Sequence, residues 1–441
     1  MFYYLEKTRE RIHLEDKPFQ EGGQGKIYKI VNKEDYLAKI YKTSMDSMLR
    51  QKLLTMIKNP PDDRMREQNH ISIVWPEDLI QDSGGNHVGF IMPYIKKGKT
   101  LFNFYHTKTR RENAPNFHWG YLHAAAMNLA MVVEAIHDKG YIIGDLKVDN
   151  ILANGKGLIS LVDTDSFQFT DSGGKTYYSS VGTLDFTPPE LLGQNLTFKR
   201  REKFHDSYSL GVIIYLLLFG YRPFDGKIIQ EGIDHLEFYD NQIQNGHWLY
   251  SPNAPLALPR YGHPLDIIHS ELQTLFHKCF TDGHQNPEKR PTATEWKRAL
   301  MKAIIGLERC EQNGNHFYDR HLWLCYWCES KVQKRYDSFP PPQNSDPNSQ
   351  MQWRQFQETI SELLQEETNT QNNTNTDNNS ESSNQNKGNN QNQNNSPPTN
   401  NTNTNSLSTN ESENKSNTPK ITPKTMIILG VAILLSYILF F

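Results

Sequence analysis

The chain has 441 residues, room for two or three domains of ordinary size, and balances 47 Lys and Arg against 50 Asp and Glu for a formal charge of -3. It carries no long basic run to neutralise a row of phosphates, so nucleic acid is excluded as a main partner. Three of its four cysteines crowd between 310 and 328, unlike a secreted disulfide framework, and Met1 to Arg11 is too charged for a signal sequence, so a reducing, cytoplasmic setting is expected.

The first signal along the chain is Glu21-Gly22-Gly23-Gln24-Gly25-Lys26-Ile27-Tyr28, a glycine cluster that by itself marks only a turn. Leu37-Ala38-Lys39-Ile40 follows, and an isolated lysine on a strand is usually just solvated. A helix is expected from Ser44 to Lys58. Tyr141 to Ile143 is strand-like and leads into Asp145-Leu146-Lys147-Val148-Asp149-Asn150. Phosphoryl transfer to a hydroxyl needs a carboxylate that orients the nucleophile and accepts its proton, with an amide oxygen for a metal ion four or five residues away. Asp145 and Asn150 have that spacing, although such a run alone is equally a charged turn. Residues 151 to 162 read as strand, Asn154-Gly155 turn and strand. This hairpin delivers Asp163 where a second carboxylate would chelate Mg²⁺ between nucleotide phosphates; the plain alternative is an acidic pair capping a strand end. Val212 to Phe219 is too short to span a membrane and reads as a buried helix.

In this order and at these distances the runs resemble the protein kinase superfamily over roughly residues 10 to 305. The resemblance implies an α+β, two-lobed fold, with a small β-rich N-lobe at about 10–95 and a large helical C-lobe at about 96–305. It makes Gly22, Gly23, Gly25 and Ile27 a loop whose backbone approaches nucleotide phosphates, with Gln20 where the pattern's first glycine would stand. Lys39 would pair with those phosphates. Gly89 to Ile95 looks like the strand entering the hinge between lobes: Met92 as gatekeeper, Pro93 offering only a carbonyl, and Ile95 turning its amide to adenine. Thr187-Pro188-Pro189-Glu190 resembles the end of an activation segment, Asp206 the aspartate that holds the catalytic loop, and Arg290 the partner of Glu190.

The implied reaction moves the γ-phosphoryl group of ATP to a Ser or Thr hydroxyl of a protein. Asp145 would act as base and Lys147 would neutralise charge on the transferring group, while Asn150 and Asp163 hold Mg²⁺. Lys147 and Thr183 resemble the serine/threonine subgroup. Tyr177, Tyr178, Ser179, Ser180 and Thr183 are autophosphorylation candidates, or ordinary loop residues.

Three departures bear on activity. Ile143 and Gly144 stand where a His and an Arg usually precede the catalytic aspartate, removing the arginine that reads activation-loop phosphate. Thr164 and Asp165 replace the Phe and Gly that usually follow the metal-binding aspartate. The helix from Ser44 has no glutamate to pair with Lys39: Gln51 is nearest the expected place, and Glu67 lies beyond Pro60 and Pro61. The competing reading is therefore a pseudokinase, a membrane-tethered scaffold that binds nucleotide without turnover.

Beyond this region, Cys310, His316, Cys325 and Cys328 offer three thiolates and an imidazole for a closed, structural Zn²⁺ site at 308–330. His321 is the alternative to His316, and a reduced cluster among Tyr318, Trp323 and Trp327 the plain reading. The segment resembles a zinc-ribbon-like appendage found after some bacterial kinases of this divergent type. Trp353, Phe356, Ile360, Leu363 and Leu364 predict a short amphipathic helix at 351–366. Residues 367–424, rich in Asn, Ser and Thr, are expected to form a disordered tether. Residues 425–441 are apolar and uncharged, and at about 1.5 Å per residue reach roughly 25 Å, which predicts a single transmembrane anchor. Lys415, Lys420 and Lys424 before it would keep the large domain cytoplasmic.

Overall fold

The computed structural model describes residues 1–66, 69–229, 239–252, 254–341 and 349–382. Its first lobe is built on a seven-stranded antiparallel sheet in the order β2-β1-β6-β7-β5-β4-β3. The strands are β1 Phe2–Leu5, β2 Arg11–His13, β3 Gln20–Glu21, β4 Gly25–Lys29, β5 Tyr36–Tyr41, β6 Asp78–Gln81 and β7 His87–Pro93. The sheet thus begins ahead of the expected boundary at residue 10. Successive side chains of a strand face opposite ways, and this chain uses both faces. Ile80 and Ile91 join Leu5, Ile12, Leu14, Tyr28, Ile30 and Ala38 in one small core. Their neighbours Leu79 and Phe90 join the large core that continues into the helical half.

The helix α1, Ser47–Lys58, covers that second face with Leu53 and Met56; the Asp46 side chain caps it by accepting from the Leu49 amide at 2.7 Å. Deep in the second lobe lies the helix Trp119–Asp138, whose small residues Ala124, Ala125, Ala126 and Ala130 allow close approach of its neighbours. Packed around it are the helices Lys203–Phe219, almost wholly buried, and Ala293–Gly306. The helix Lys203–Phe219 meets protein on every side and is apolar from Val212 to Phe219, as that run suggested, whereas Ala293–Gly306 buries one face and leaves Glu295 and Lys302 outside.

Between the lobes runs a three-stranded sheet of β8 Lys99–Thr100, β9 Ile151–Ala153 and β10 Ile159–Leu161. The turn joining β9 and β10 is longer than a two-residue Asn-Gly turn. The Asn154 side chain accepts from the amides of Lys156 and Leu158, and the left-handed residue is Gly157. Tyr141 to Ile143 forms no strand, only an isolated bridge of Ile142 to Gln168.

After the last core helix come a short hairpin, Leu307–Arg309 with Phe317–Asp319, and the helix Tyr326–Lys334. The amphipathic helix seats Trp353, Phe356, Ile360 and Leu363 in the large core. It spans Ser349–Ser382, running past residue 366 into what the sequence suggested as tether. One reason is Glu367, which pairs with Lys297 at 2.8 Å and Arg298 at 3.4 Å and so fixes a further turn. Among the described residues no helix is long and apolar enough to cross a membrane. The expected anchor at 425–441 and the tether from 383 onward lie outside them.

Candidate active site

The glycine cluster is the turn between β3 and β4, closed by the Gly22 amide donating to the Gly25 carbonyl at 2.9 Å. Gly25 is required there, since a Cβ would lie 2.8 Å from the Ile40 carbonyl; Gly22 and Gly23 meet no such obstacle and are exposed. Ile27 lies directly across from Lys39 in the β4–β5 ladder. Met92 closes the β7 end against the core, and the Ile95 amide has no hydrogen-bond partner among the described residues.

Lys39 is 5% exposed, and its ammonium is bonded to Asp163 Oδ1 at 2.7 Å and to both oxygens of Asp165 at 2.7 and 2.8 Å. Tyr41, two residues along β5, donates its hydroxyl to Asp165 Oδ2 at 2.7 Å. Burial alone would raise the Asp165 carboxyl; the adjoining Lys39 ammonium and the Tyr41 hydroxyl outweigh it and hold the group below the usual carboxylate range. Lys39 is likewise pushed down by burial and, on balance, raised by its two carboxylates. Asp163 itself is in the left-handed region at φ 61°, unusual for a residue with a side chain and common where a site fixes the backbone. Thr164, in place of an aromatic ring, donates its hydroxyl to the Val74 carbonyl at 2.7 Å.

The helix α1 brings no acid to this cluster. Gln51, the residue nearest the expected place, is exposed, and the next residue, Lys52, is the one that turns inward. Burial drops the Lys52 ammonium to about 8, against the pull of Asp165.

Asp145, 6% exposed, accepts from Lys147 Nζ at 2.6 Å and from Thr183 Oγ1 at 2.8 Å. Lys147 also reaches Thr183 at 3.1 Å, so the three side chains close a triangle. Asn150 donates its Nδ2 to the Asp145 carbonyl at 3.2 Å, and its own carbonyl accepts from the Val162 amide at 2.8 Å. That bond ties the catalytic loop to the residue before Asp163.

Asp206 holds this loop from below: its carboxylate accepts from the Ile143 amide at 2.7 Å and the Gly144 amide at 2.8 Å, and meets His137 Nε2 at 2.9 Å. Gly144 sits at φ 77°, and a Cβ on it would fall 2.6 Å from the Ser179 hydroxyl, which is why no arginine stands there. Arg201 takes over part of the space, donating to the carbonyls of Gly144 and Val181. Of the autophosphorylation candidates, Tyr177 and Ser179 are buried, Thr183 is bonded to Asp145, and Tyr178 and Ser180 are exposed. Glu190 and Arg290 form a two-bond pair at 2.6 and 2.7 Å.

A second cluster lies in the C-terminal appendage. The ligand atoms of Cys310, His316, Cys325 and Cys328 all lie within 4.8 Å of one another. Cys310 and Cys328 sulfurs are 3.6 Å apart, close to the roughly 3.8 Å edge of a tetrahedron with Zn–S bonds of about 2.3 Å. His316 turns Nδ1 to Cys328 at 3.4 Å and gives Nε2 to Asp337 Oδ1 at 3.0 Å, the outer carboxylate that commonly orients a metal-binding imidazole. His321 is elsewhere, bonded to Asp319 and the Asp266 carbonyl.

Sequence reasoning missed Asp165, Tyr41, Lys52 and Asp337. The usable signal for the first was a surplus acid, two residues after Asp163, beside a lysine left without its helix partner.

A protein kinase domain model matches residues 16–300. Protein kinase YegI of Escherichia coli strain K12 is 29% identical over 313 residues, covering 70% of this chain and 47% of that protein. Serine/threonine-protein kinase sgk-1 of Caenorhabditis elegans is 25% identical over 294 residues, 61% of this chain and 57% of its own length. cAMP-dependent protein kinase type 3 of Saccharomyces cerevisiae is 27% identical over 277 residues, with 62% and 55% covered. The chain spans about half the length of the curated relatives it matches. With the family model covering well over half of the chain and a two-lobed fold around the Lys39, Asp145 and Asp163 cleft, the chain belongs to the protein kinase domain family.

Proposed function

We propose that this chain is an ATP-dependent serine/threonine protein kinase, carrying a structural zinc site and held at a membrane by residues 425–441. One observation carries the catalytic part: Asp145 is bonded to both Lys147 and Thr183, while Lys39 is held on Asp163. A carboxylate held this way accepts a hydroxyl proton, and its neighbours distinguish Ser/Thr chemistry from a plain acidic turn.

The donor set fits a magnesium nucleotide. Asn150 spends its Nδ2 on the Asp145 carbonyl, leaving an amide oxygen, and Asp163 keeps a second carboxylate oxygen on a side chain 42% exposed; hard oxygen donors suit Mg²⁺. When bound, the magnesium nucleotide supplies the phosphoryl group and neutralises charge as it moves. Lys39 supplies a fixed cation for the phosphates, and the turn at Gly22, Gly23 and Gly25 brings backbone amides to them. Ile27 and Met92 would bound the base, with the free Ile95 amide as donor to it. Asp145 orients the substrate hydroxyl and takes its proton, while Lys147 remains to offset charge on the transferring group.

The zinc reading rests on the four convergent ligand atoms and on Asp337 behind His316. The anchor reading rests on the apolar run at 425–441 and the lysines before it, with the kinase domain on the cytoplasmic side.

The test of the activity is product identity. The full chain, given γ-labelled ATP, Mg²⁺ and a generic protein, should leave label as phosphoserine and phosphothreonine after acid hydrolysis, and Asp145→Ala should leave none. Equal background from both would favour the nucleotide-binding scaffold, and label in phosphotyrosine would sink the Ser/Thr assignment.

A further inference from the structure

Lysine offers three ammonium donors, and in Lys39 they are directed at three oxygens of the segment 163–165: Asp163 Oδ1 and both oxygens of Asp165. In most members of this family the lysine is aligned by a glutamate on the helix that packs against the sheet, so alignment depends on where that helix sits. Here α1 turns Lys52 inward instead, a like charge with no ion-pair partner among the described residues. A cation on the helix cannot hold a second cation. The carboxylate has moved to the other side of the pair, two residues after the presumed metal ligand, where it is 4% exposed and further fixed by the Tyr41 hydroxyl.

We propose that Asp165 is a positioning residue that orients Lys39 for the nucleotide phosphates in place of the missing helix carboxylate, so that lysine alignment follows the 163–165 segment rather than α1. The inference rests on the kinase reading above. It assigns a task to the residue that replaces a glycine in the usual pattern, and it accounts for the Tyr41 hydroxyl, which fixes the Asp165 carboxylate. A buried carboxylate bonded to the Lys39 ammonium and the Tyr41 hydroxyl is balanced without any acid from α1. Movement of α1 would then leave the Lys39–Asp165 pair intact, and a shift of the 163–165 segment would break it.

The test is phosphoryl transfer by the full-length chain. Asp165→Asn keeps the side-chain volume and removes the charge. Misplacement of a positioning group by about 1 Å costs on the order of 100-fold in rate, so kcat should fall by roughly that factor while KM for ATP changes by less than about threefold. Asp165→Asn combined with Lys52→Glu returns a carboxylate from the helix side and should recover roughly tenfold of the loss, which a merely structural role would not do. Should Asp165→Asn melt early or fail to fold, Tyr41→Phe decides the matter: it removes one bond to Asp165 and should lower kcat roughly threefold, and an unchanged kcat would overturn the proposal. Wild-type rates in a folded Asp165→Asn would also overturn it and leave the kinase reading standing. A wild-type chain with no transfer would overturn both.

Discussion

Arg290 grips Glu190 through two parallel bonds of 2.6 and 2.7 Å, with the arginine side chain wholly buried and the glutamate side chain 28% exposed. The pair joins the end of the activation segment to the loop before the helix Ala293–Gly306, across 100 residues of sequence. Burial alone would raise the Glu190 carboxyl, and Arg290 reverses this. Arg290→Ala would leave a largely buried carboxylate without its partner, which costs about 3 kcal/mol. For a domain of this size that is a melting temperature lower by roughly 6 °C or more. Calorimetry on the two proteins checks it, and Arg290→Lys should recover only part, because an ammonium cannot reproduce the fork.

Acid should destabilise the fold through His123. The ring is 1% exposed, donates Nδ1 to the Trp119 carbonyl at 3.0 Å, and is driven by burial down to about 4 from 6.5. Below 6.5 the unfolded chain takes up a proton that the folded chain refuses until about 4, so this contribution to stability is complete above 6.5 and is lost as pH falls through that window. At pH 5 the loss amounts to about 2 kcal/mol. His123→Leu should flatten the decline in melting temperature between pH 7 and 5 relative to the parent; an equal decline in both proteins would contradict the assignment.

Zinc removal should loosen the appendage and the helix that packs beside it. Purified chain is expected to contain one zinc per molecule by elemental analysis, and a strong chelator or Cys328→Ser should lower the melting temperature. Asp337→Ala should weaken zinc affinity about 10- to 100-fold while leaving the four ligands in place.

Deleting residues 425–441 should move the chain from the membrane fraction to the soluble fraction of its cell. The deletion should leave phosphoryl transfer in detergent-free buffer unchanged, since the cleft and the core are built from residues before 383. Retention of the truncated chain on membranes would contradict the anchor.

The sequence exposes the parts of the site whose chemistry demands a fixed local spacing. Asp145, Lys147 and Asn150 lie within one turn of chain, and Asp163 follows a hairpin short enough to count across. Lys147 and Asn150 are bonded to Asp145, and the Asn150 carbonyl accepts from Val162, the residue before Asp163. Asp165 escaped because its partner Lys39 is 126 positions away, and only the β5 register brings the two together. Asp337 escaped in the same way, reaching His316 from a segment with no motif of its own. At the start of the chain, β1 and β2 have four and three residues, too few for an alternation to be read. The longer helix at Ser349–Ser382 defeated composition, because its polar residues after 366 resemble an unstructured run and only the Glu367 ion pairs argue otherwise.

The most direct measurement is the rate of γ-phosphoryl transfer from ATP by the full chain and by Asp145→Asn, at matched occupancy of nucleotide. Loss of the base with the nucleotide cleft intact should lower kcat by at least about 100-fold while ATP affinity, measured by calorimetry with Mg²⁺, stays within about threefold. Equal rates in the two proteins, or no Mg²⁺-dependent affinity for ATP in either, would contradict the account.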